Sequence, residues 1–401
     1  MTIKVGCRST SLILFVVVLA IIAWGAVVSA QSGPPWSWGP ILGAISEDSV
    51  ALTWKTTRSV GFDFNYSLAQ VYDSSEQWEE TLTYTGHNGI ASILLRDLLP
   101  GATYRFQLVF YEGDAVYPTE IGTFRTIEPD SRSFSFATYG ATASHPDRHK
   151  LVADTIVQQT DVSLVIHSGG LVEYPTDDRF DNFFWAISGL GRASPYVSVI
   201  GEHDRDDGLY FENLALPSGG GLSDEQWWSF DYGPVHFVGL DSTLSSLSEE
   251  AAMQEQTAWL LHDLSQAQDK IIVVFSADPL YSATYDSGEN ERLVALWDSA
   301  FREYGVAVIF SSAAHCYEHI YRNGIHHVIS GGGGATLMSS PSSSVPGTVF
   351  RRYGLLHYVV GTIADDALRI ETIPVASVVG DVVTLSASGR SIDTFVVNRE
   401  D

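Results

Sequence analysis

Five short apolar runs most constrain what this chain can fold into. Residues 134–138, 162–166, 196–200, 271–275 and 306–310 each have the length of a buried strand. Each then gives way to glycine, serine or alanine and a turn. Residues 235–240 form a further run of this kind, and helix-like stretches at 149–160, 258–264 and 291–304 lie among them. In the first of these, Leu151, Val152, Ile156 and Val157 recur at helical spacing. Alternating strands and helices predict a layered α/β domain, whose sites lie where the strands end. The most telling of those ends is His167-Ser168-Gly169-Gly170. Chemistry there needs a side chain able to hold a metal or a proton, and Gly170 has none.

Before this domain the pattern is all-β. Residues 31–38 hold two prolines and read as an extended lead-in. Ser49 to Trp54 and Tyr104 to Phe110 alternate, with turn residues between such runs. Trp54, the stretch Leu98-Leu99-Pro100-Gly101-Ala102-Thr103-Tyr104, and Phe124-Arg125-Thr126 resemble a fibronectin type III sandwich. In that resemblance Tyr104 is the corner tyrosine. Residues 128–133 read as the linker. The tail 353–397 returns to β alternation and closes a second sheet, while 217–222 and 330–347 are Gly/Ser-rich loops.

The N-terminus reads as an export signal over residues 1–30. Lys4 and Arg8 precede an apolar run from Leu12 to Val28, and Val28-Ser29-Ala30 supplies small residues before Gln31. An uncleaved membrane anchor is the alternative. Those two cations are the charged residues of the segment, so the processed chain is more acidic still than the whole, with its net charge of −26. Such a chain is poorly suited to nucleic acid or anionic membranes, and it repels anionic substrates unless a metal inverts the local field. Of two cysteines, Cys7 and Cys316, one survives cleavage, which gives a buried free thiol and no internal disulfide. Asn65-Tyr66-Ser67 is a possible glycosylation acceptor.

The strand ends, read in order, are Thr138 to Ser144, His167 to Glu173, Ile200 to Asp204, Phe275 to Tyr281 and Ser311 to Glu318. With Trp228 to Ser242 and Thr257 to Leu264, their order and contexts resemble the calcineurin-like metallophosphoesterases, in particular the purple acid phosphatase branch. That branch also carries a fibronectin-like N-terminal domain. The resemblance runs from about residue 40 to the C-terminus. The fold it implies has two domains. An all-β fibronectin III-like sandwich over 31–127 precedes an α/β metallophosphoesterase-like ββ-sandwich flanked by helices over 134–401.

For the chemistry the correspondence fails. The family holds two metals, which need anionic bridging ligands. Carried over by position, its ligand sites fall on Ala141, Ala143, Gly170, Glu202, Ala277 and Ala313, whereas His203 and His315 match. The reading is therefore no catalytic residue and no cofactor, with His203 and His315 as residual candidates. Glu202 and His315 could at most hold a single divalent metal. Lesser signals have bland readings. Asp204 to Gly208 reads as a solvated acidic turn in preference to a calcium loop. His315, His319, His326 and His327 lack a third zinc ligand at fixed spacing. Gly331 to Gly334 lacks the lysine and helix of a phosphate cradle.

The expectation is a secreted or cell-surface protein, catalytically inactive, acting as a structural, self-assembling or binding module. Its partner would be a second copy or another surface component, with Trp36 and Trp38 as exposed aromatic candidates. A phosphate-ester or glycan binder in the emptied cleft, and a hydrolase with rearranged ligands, are the alternatives.

Overall fold

The computed structural model describes residues 33–401 apart from 206–207, 247–248, 286, 340–344, 365–366, 387–388 and 399–401. The expected export signal at 1–30 lies outside the described residues. Trp36–Asp401 is one compact unit. Among the described residues no helix is long and apolar enough to cross a membrane.

An antiparallel sheet comes first, built from β1 (Trp36–Ile45), β2 (Val50–Leu68), β3 (Glu80–Leu95), β4 (Thr103–Glu112), β5 (Ala115–Pro118) and β6 (Gly122–Arg125). Its spine is the long β2, which pairs with β3 along one edge. Its other edge takes β1 first and then β4. Alternation places Trp54, Phe62 and Phe64 of β2 with Phe106, Leu108 and Phe110 of β4 in the core. The Tyr104 hydroxyl accepts the Leu99 N–H at 2.9 Å, tying the turn at 99–102 to β4. Asn65 sits mid-strand between β3 and β4, 7% exposed, and its Oδ1 accepts from Thr81 at 2.7 Å. A glycan has no room there, so the acceptor reading of Asn65 is corrected.

Residues 133–401 hold two sheets. One runs β10-β11-β12-β13-β14-β16-β15-β17 and the other β20-β19-β18-β7-β8-β9, with β21 on β19. The strands are β7 (Ser133–Tyr139), β8 (Leu164–His167), β9 (Tyr196–Ser198), β10 (Gly219–Gly220), β11 (Trp227–Tyr232), β12 (Val235–Leu240) and β13 (Ile271–Ser276). They continue with β14 (Val306–Ser311), β15 (Tyr317–Arg322), β16 (Ile325–Ser330), β17 (Thr348–Arg352), β18 (Leu355–Ala364), β19 (Ala367–Val379), β20 (Val382–Leu385) and β21 (Asp393–Asn398). The apolar runs read from sequence pair in parallel: β7, β8 and β9 in one sheet, and β12, β13 and β14 in the other, where β16, a strand not read from sequence, also runs parallel to β14. Phenylalanines meet between the sheets. Phe136 of β7 stands edge-on to Phe237 at 5.1 Å and to Phe310 at 6.3 Å across the gap, and within the second sheet Phe275 stacks on Phe310 at 5.3 Å. The helix expected over 291–304 has a π-helical centre at Val294–Asp298, which buries Trp297.

Trp38 is not a surface residue, and Trp36 is half-buried. Trp38 is 2% exposed, stacks on Phe184 at 4.0 Å and donates from Nε1 to Asp181 at 3.0 Å. Ser37 and Lys55 donate to the same carboxylate, at 2.7 and 2.8 Å. Trp36 stacks on Phe110. Sequence alternation says which residues share a face, but the face that Trp38 covers belongs to the helix Asp177–Ala186, more than a hundred residues away. The β region and the α/β region therefore share one continuous apolar core. Trp38→Ala should cost about 3–5 kcal/mol, as full truncation of a buried tryptophan does. Chemical denaturation checks this, and a loss below about 1 kcal/mol would show that the seam carries little stability.

One buried charge gives a pH signature. His236 of β12 lies between Asp231 at 2.7 Å and Asp263 at 2.8 Å. Burial opposes its charge, but the two carboxylates outweigh burial and push the imidazolium up to about 9. The folded chain thus favours the proton. The stabilising contribution is full below the imidazole's ordinary 6.5 and is lost as pH rises towards 9. The gap in melting temperature between the wild type and His236→Asn should shrink across that interval; a constant gap would contradict it.

Candidate functional site

The strand ends of the two sheets meet, as an α/β fold requires of its site. Ser312 Oγ, just after β14, donates to Ser168 O at 2.6 Å and to Gly169 O at 3.0 Å, just after β8. The Ser312 and Ala313 N–H groups donate to Ala277 O, after β13, and Gly140 N–H donates to Ser330 O at the end of β16. The Ala141 N–H reaches Gly169 O at 3.1 Å, and the Thr142 N–H reaches Gly170 O at 2.8 Å. A Cβ on Gly170 would stand 3.4 Å from Ala141 Cα, and one on Gly169 would stand 2.6 Å from the Ala277 methyl. The positions singled out in sequence are brought together around one point, with Ala141 and Ala277 buried and Ala313 exposed.

The backbone at this point is left-handed in several places. Gly169 and Gly170 have φ of 89° and 70°, and Ala141 and His315, with side chains, have 52° and 49°. Alanine in this region costs about 1 kcal/mol, which only a surrounding structure that over-determines it can sustain. Much of that determination comes from Asp204. Its buried carboxylate accepts the N–H groups of Gly170 at 3.0 Å, Val172 at 2.9 Å and Gly201 at 2.8 Å. Burial pushes this acid up to about 6, against the pull of the backbone N–H groups. Asp204 is thus no part of a solvated turn, which corrects that expectation for this residue. Asp206 and Asp207 lie outside the described residues.

The residual candidates are placed as follows. Glu202 and His203 lie on the 3₁₀ turn Glu202–Asp204, both exposed, at one wall of an open cleft of about 990 Å³. Arg205 and Glu249 face the same cleft, but Arg205 is engaged by Asp241 at 2.6 Å and by Glu249 at 3.1 Å. His315 is half-buried with Nδ1 3.0 Å from Thr336 O. Burial pushes it down, and neighbouring His203 adds to that. Ala143 is half-buried beside the chain turn into the helix Pro146–Gln159.

Among the described residues no three His, Cys, Asp or Glu side chains are placed to hold a metal ion together. A two-metal centre needs anionic donors between the ions. At this point the chain offers methyl groups, glycine and the polar residues Glu202, His203 and His315, and these do not supply the anionic bridging donors of such a centre. The other histidines weighed as zinc ligands have different partners. His319 bonds Asp393 at 2.7 Å and His326 at 2.9 Å, and His327 packs edge-on against Tyr281. Cys316 is buried, which pushes its thiol up. Gly331 to Gly334 serve close packing: a Cβ on Gly332 would stand 2.2 Å from His357 Nδ1.

Sequence reasoning missed Asp204 as the holder of the Gly170 loop. It also missed the buried polar group behind that loop, where Tyr139 bonds His149 and Tyr196, each at 3.0 Å, and Thr142 bonds His167. An acid directly after a strand-end Gly-Glu-His was the available signal. Asp204→Ala leaves three backbone N–H groups without an acceptor and should cost about 2–4 kcal/mol. Asp204→Asn, keeping one acceptor oxygen, should cost less. Hydrogen exchange at Gly170 and Val172 should rise in step, and unchanged exchange would remove this role.

No family model matches the chain. An acid phosphatase from Aspergillus ficuum is 28% identical over 153 residues, spanning 28% of this chain and 25% of that protein. A phosphoenolpyruvate phosphatase from Allium cepa is 24% identical over 289 residues, spanning 65% of this chain and 57% of that protein. The chain thus spans less than two thirds of the length of either relative. Among solved structures, a purple acid phosphatase from yellow lupin (Lupinus luteus) seeds superposes with a TM-score of 0.68 at 16% identity, covering 90% of this chain and 74% of its own. PhoD superposes at 0.69 and 13% identity, covering 92% and 91%. GAP50, the anchor in the inner membrane complex of Plasmodium, superposes at 0.53 and 16% identity, covering 67% and 89%.

Proposed function

We propose that this chain, whose structural and sequence matches place it with the purple acid phosphatase-like fold of the calcineurin-like metallophosphoesterase superfamily, keeps that fold without its two-metal chemistry. It serves outside the cell as a structural, self-assembling or binding module. One observation carries the reading. Ala141, Gly170, Ala277 and Ala313 gather where the strands of both sheets end, and none of them has a donor atom. Dehydrating two divalent ions requires donors that offset the loss of water, and Glu202, His203 and His315 are too few.

Four further features support the module reading. The Tyr104–Leu99 bond has the form of a tyrosine corner, in favour of a fibronectin III-like N-terminal sandwich. The export signal read at residues 1–30 supports a place at the exterior or the cell surface. A protein of the same fold in Plasmodium is an anchor, an architectural role for this scaffold. The net charge of −26 turns nucleic acid away.

Metal analysis of the purified protein, run beside hydrolysis of p-nitrophenyl phosphate, tests the proposal. Substoichiometric metal and no turnover above buffer are expected. About two metals per chain together with turnover would overturn it in favour of a hydrolase with rearranged ligands.

A further inference from the structure

The sheet containing β7, β8 and β9 ends on β20 (Val382–Leu385), which pairs only with β19 among the described strands. This hairpin carries the most exposed large apolar side chains of the described residues: Val379 at 78%, Val382 at 66% and Leu385 at 66%. Successive residues of a strand point to opposite faces, so β20 is apolar and uncovered on both. Natural edges are blunted by lysine, proline, a bulge or a covering loop. From Val382 to Ser386 there is no charge and no proline, and the β19–β20 register runs without a shift.

The register also says which backbone groups are free to pair. Val379 faces Val382 across the turn, and Ser386 N–H donates to Val375 O at 2.9 Å. Hydrogen-bonded pairs alternate along an antiparallel ladder, so Val382, Thr384 and Ser386 bond inward while Val383 and Leu385 present N–H and C=O outward. A partner strand must supply the same spacing and tolerate apolar neighbours on both faces. β20 meets its own requirement. Charge bears on the choice: a chain of net −26 repels anionic lipid, whereas two copies that meet along Val382 to Ser386 set no charged side chain of this strip against another.

We propose that β20 pairs antiparallel with β20 of a second copy, joining the two sheets across a two-fold axis at Thr384. Val383 of each copy then exchanges both hydrogen bonds with Leu385 of the other. This rests on the assembly reading above and names its surface, but its test does not depend on catalysis. Four residues per side make a small interface, so association in the range of roughly 10–100 µM is expected.

Sedimentation equilibrium of the full chain in neutral detergent, on a Cys7→Ser background, should show a monomer–dimer equilibrium. Val383→Pro, which removes an outward N–H at an edge position that accepts proline, should weaken it at least tenfold with the melting temperature unchanged. Thr384→Cys places two thiols in a non-hydrogen-bonded pair on the axis and should give a disulfide-linked dimer under mild oxidation. A monomer at every concentration, a dimer that Val383→Pro leaves intact, or no cross-link at Thr384→Cys would overturn the proposal. Metal and turnover in the phosphatase assay would sink the non-catalytic reading while leaving this pairing testable.

Discussion

Two sheets pressed together through phenylalanine rings fix everything else in this molecule. Phe136 faces Phe237 and Phe310 across the gap, and Phe275 stacks on Phe310, so the strand ends of both sheets stop at the same level. Close packing of this kind deforms little. Gly361 shows how little slack there is: a Cβ there would stand 2.2 Å from the ring of Phe136. Because the layers cannot slide, the loops that follow the strands always meet at one point, whatever side chains they carry. That is how the outline of a site persists where donors do not.

The layering was legible from sequence because buried parallel strands are apolar throughout and leave a plain trace. So were the positions that meet at the strand ends, since glycine and alanine after an apolar run are visible without coordinates. What could not be read was the identity of neighbours far along the chain. Trp38 reads equally well as an exposed aromatic or as a core residue until Phe184 is seen against it. Asn65 reads as a glycan acceptor until β3 and β4 close on both sides. Asp204 reads as one acid in an acidic run, yet its surroundings are three N–H groups from two different loops.

Electrostatics bears on which ligands the cleft beside the strand ends can take. A phosphate ester approaching a strongly acidic protein needs a local cation to turn the field. The cleft beside the strand ends is walled by Glu202, Glu249 and Glu255, and its arginine is already held by Asp241 and Glu249. Its potential therefore has the sign of the rest of the surface.

The burial of Ala141 and Ala277 bears on how such a chain can change over time. An acid at 141 or an imidazole at 277 would each enter a nearly dry setting alone, without the metal and the companion ligands that make it tolerable. On the proposed reading, a step towards a metal centre at 141 or 277 would lower stability before it gave affinity, and Gly170 and Ala313 would have to change as well. Selection acting one substitution at a time meets an uphill path. The scaffold is left free to be shaped at its edges and surfaces, where a substitution costs little and can alter what it touches.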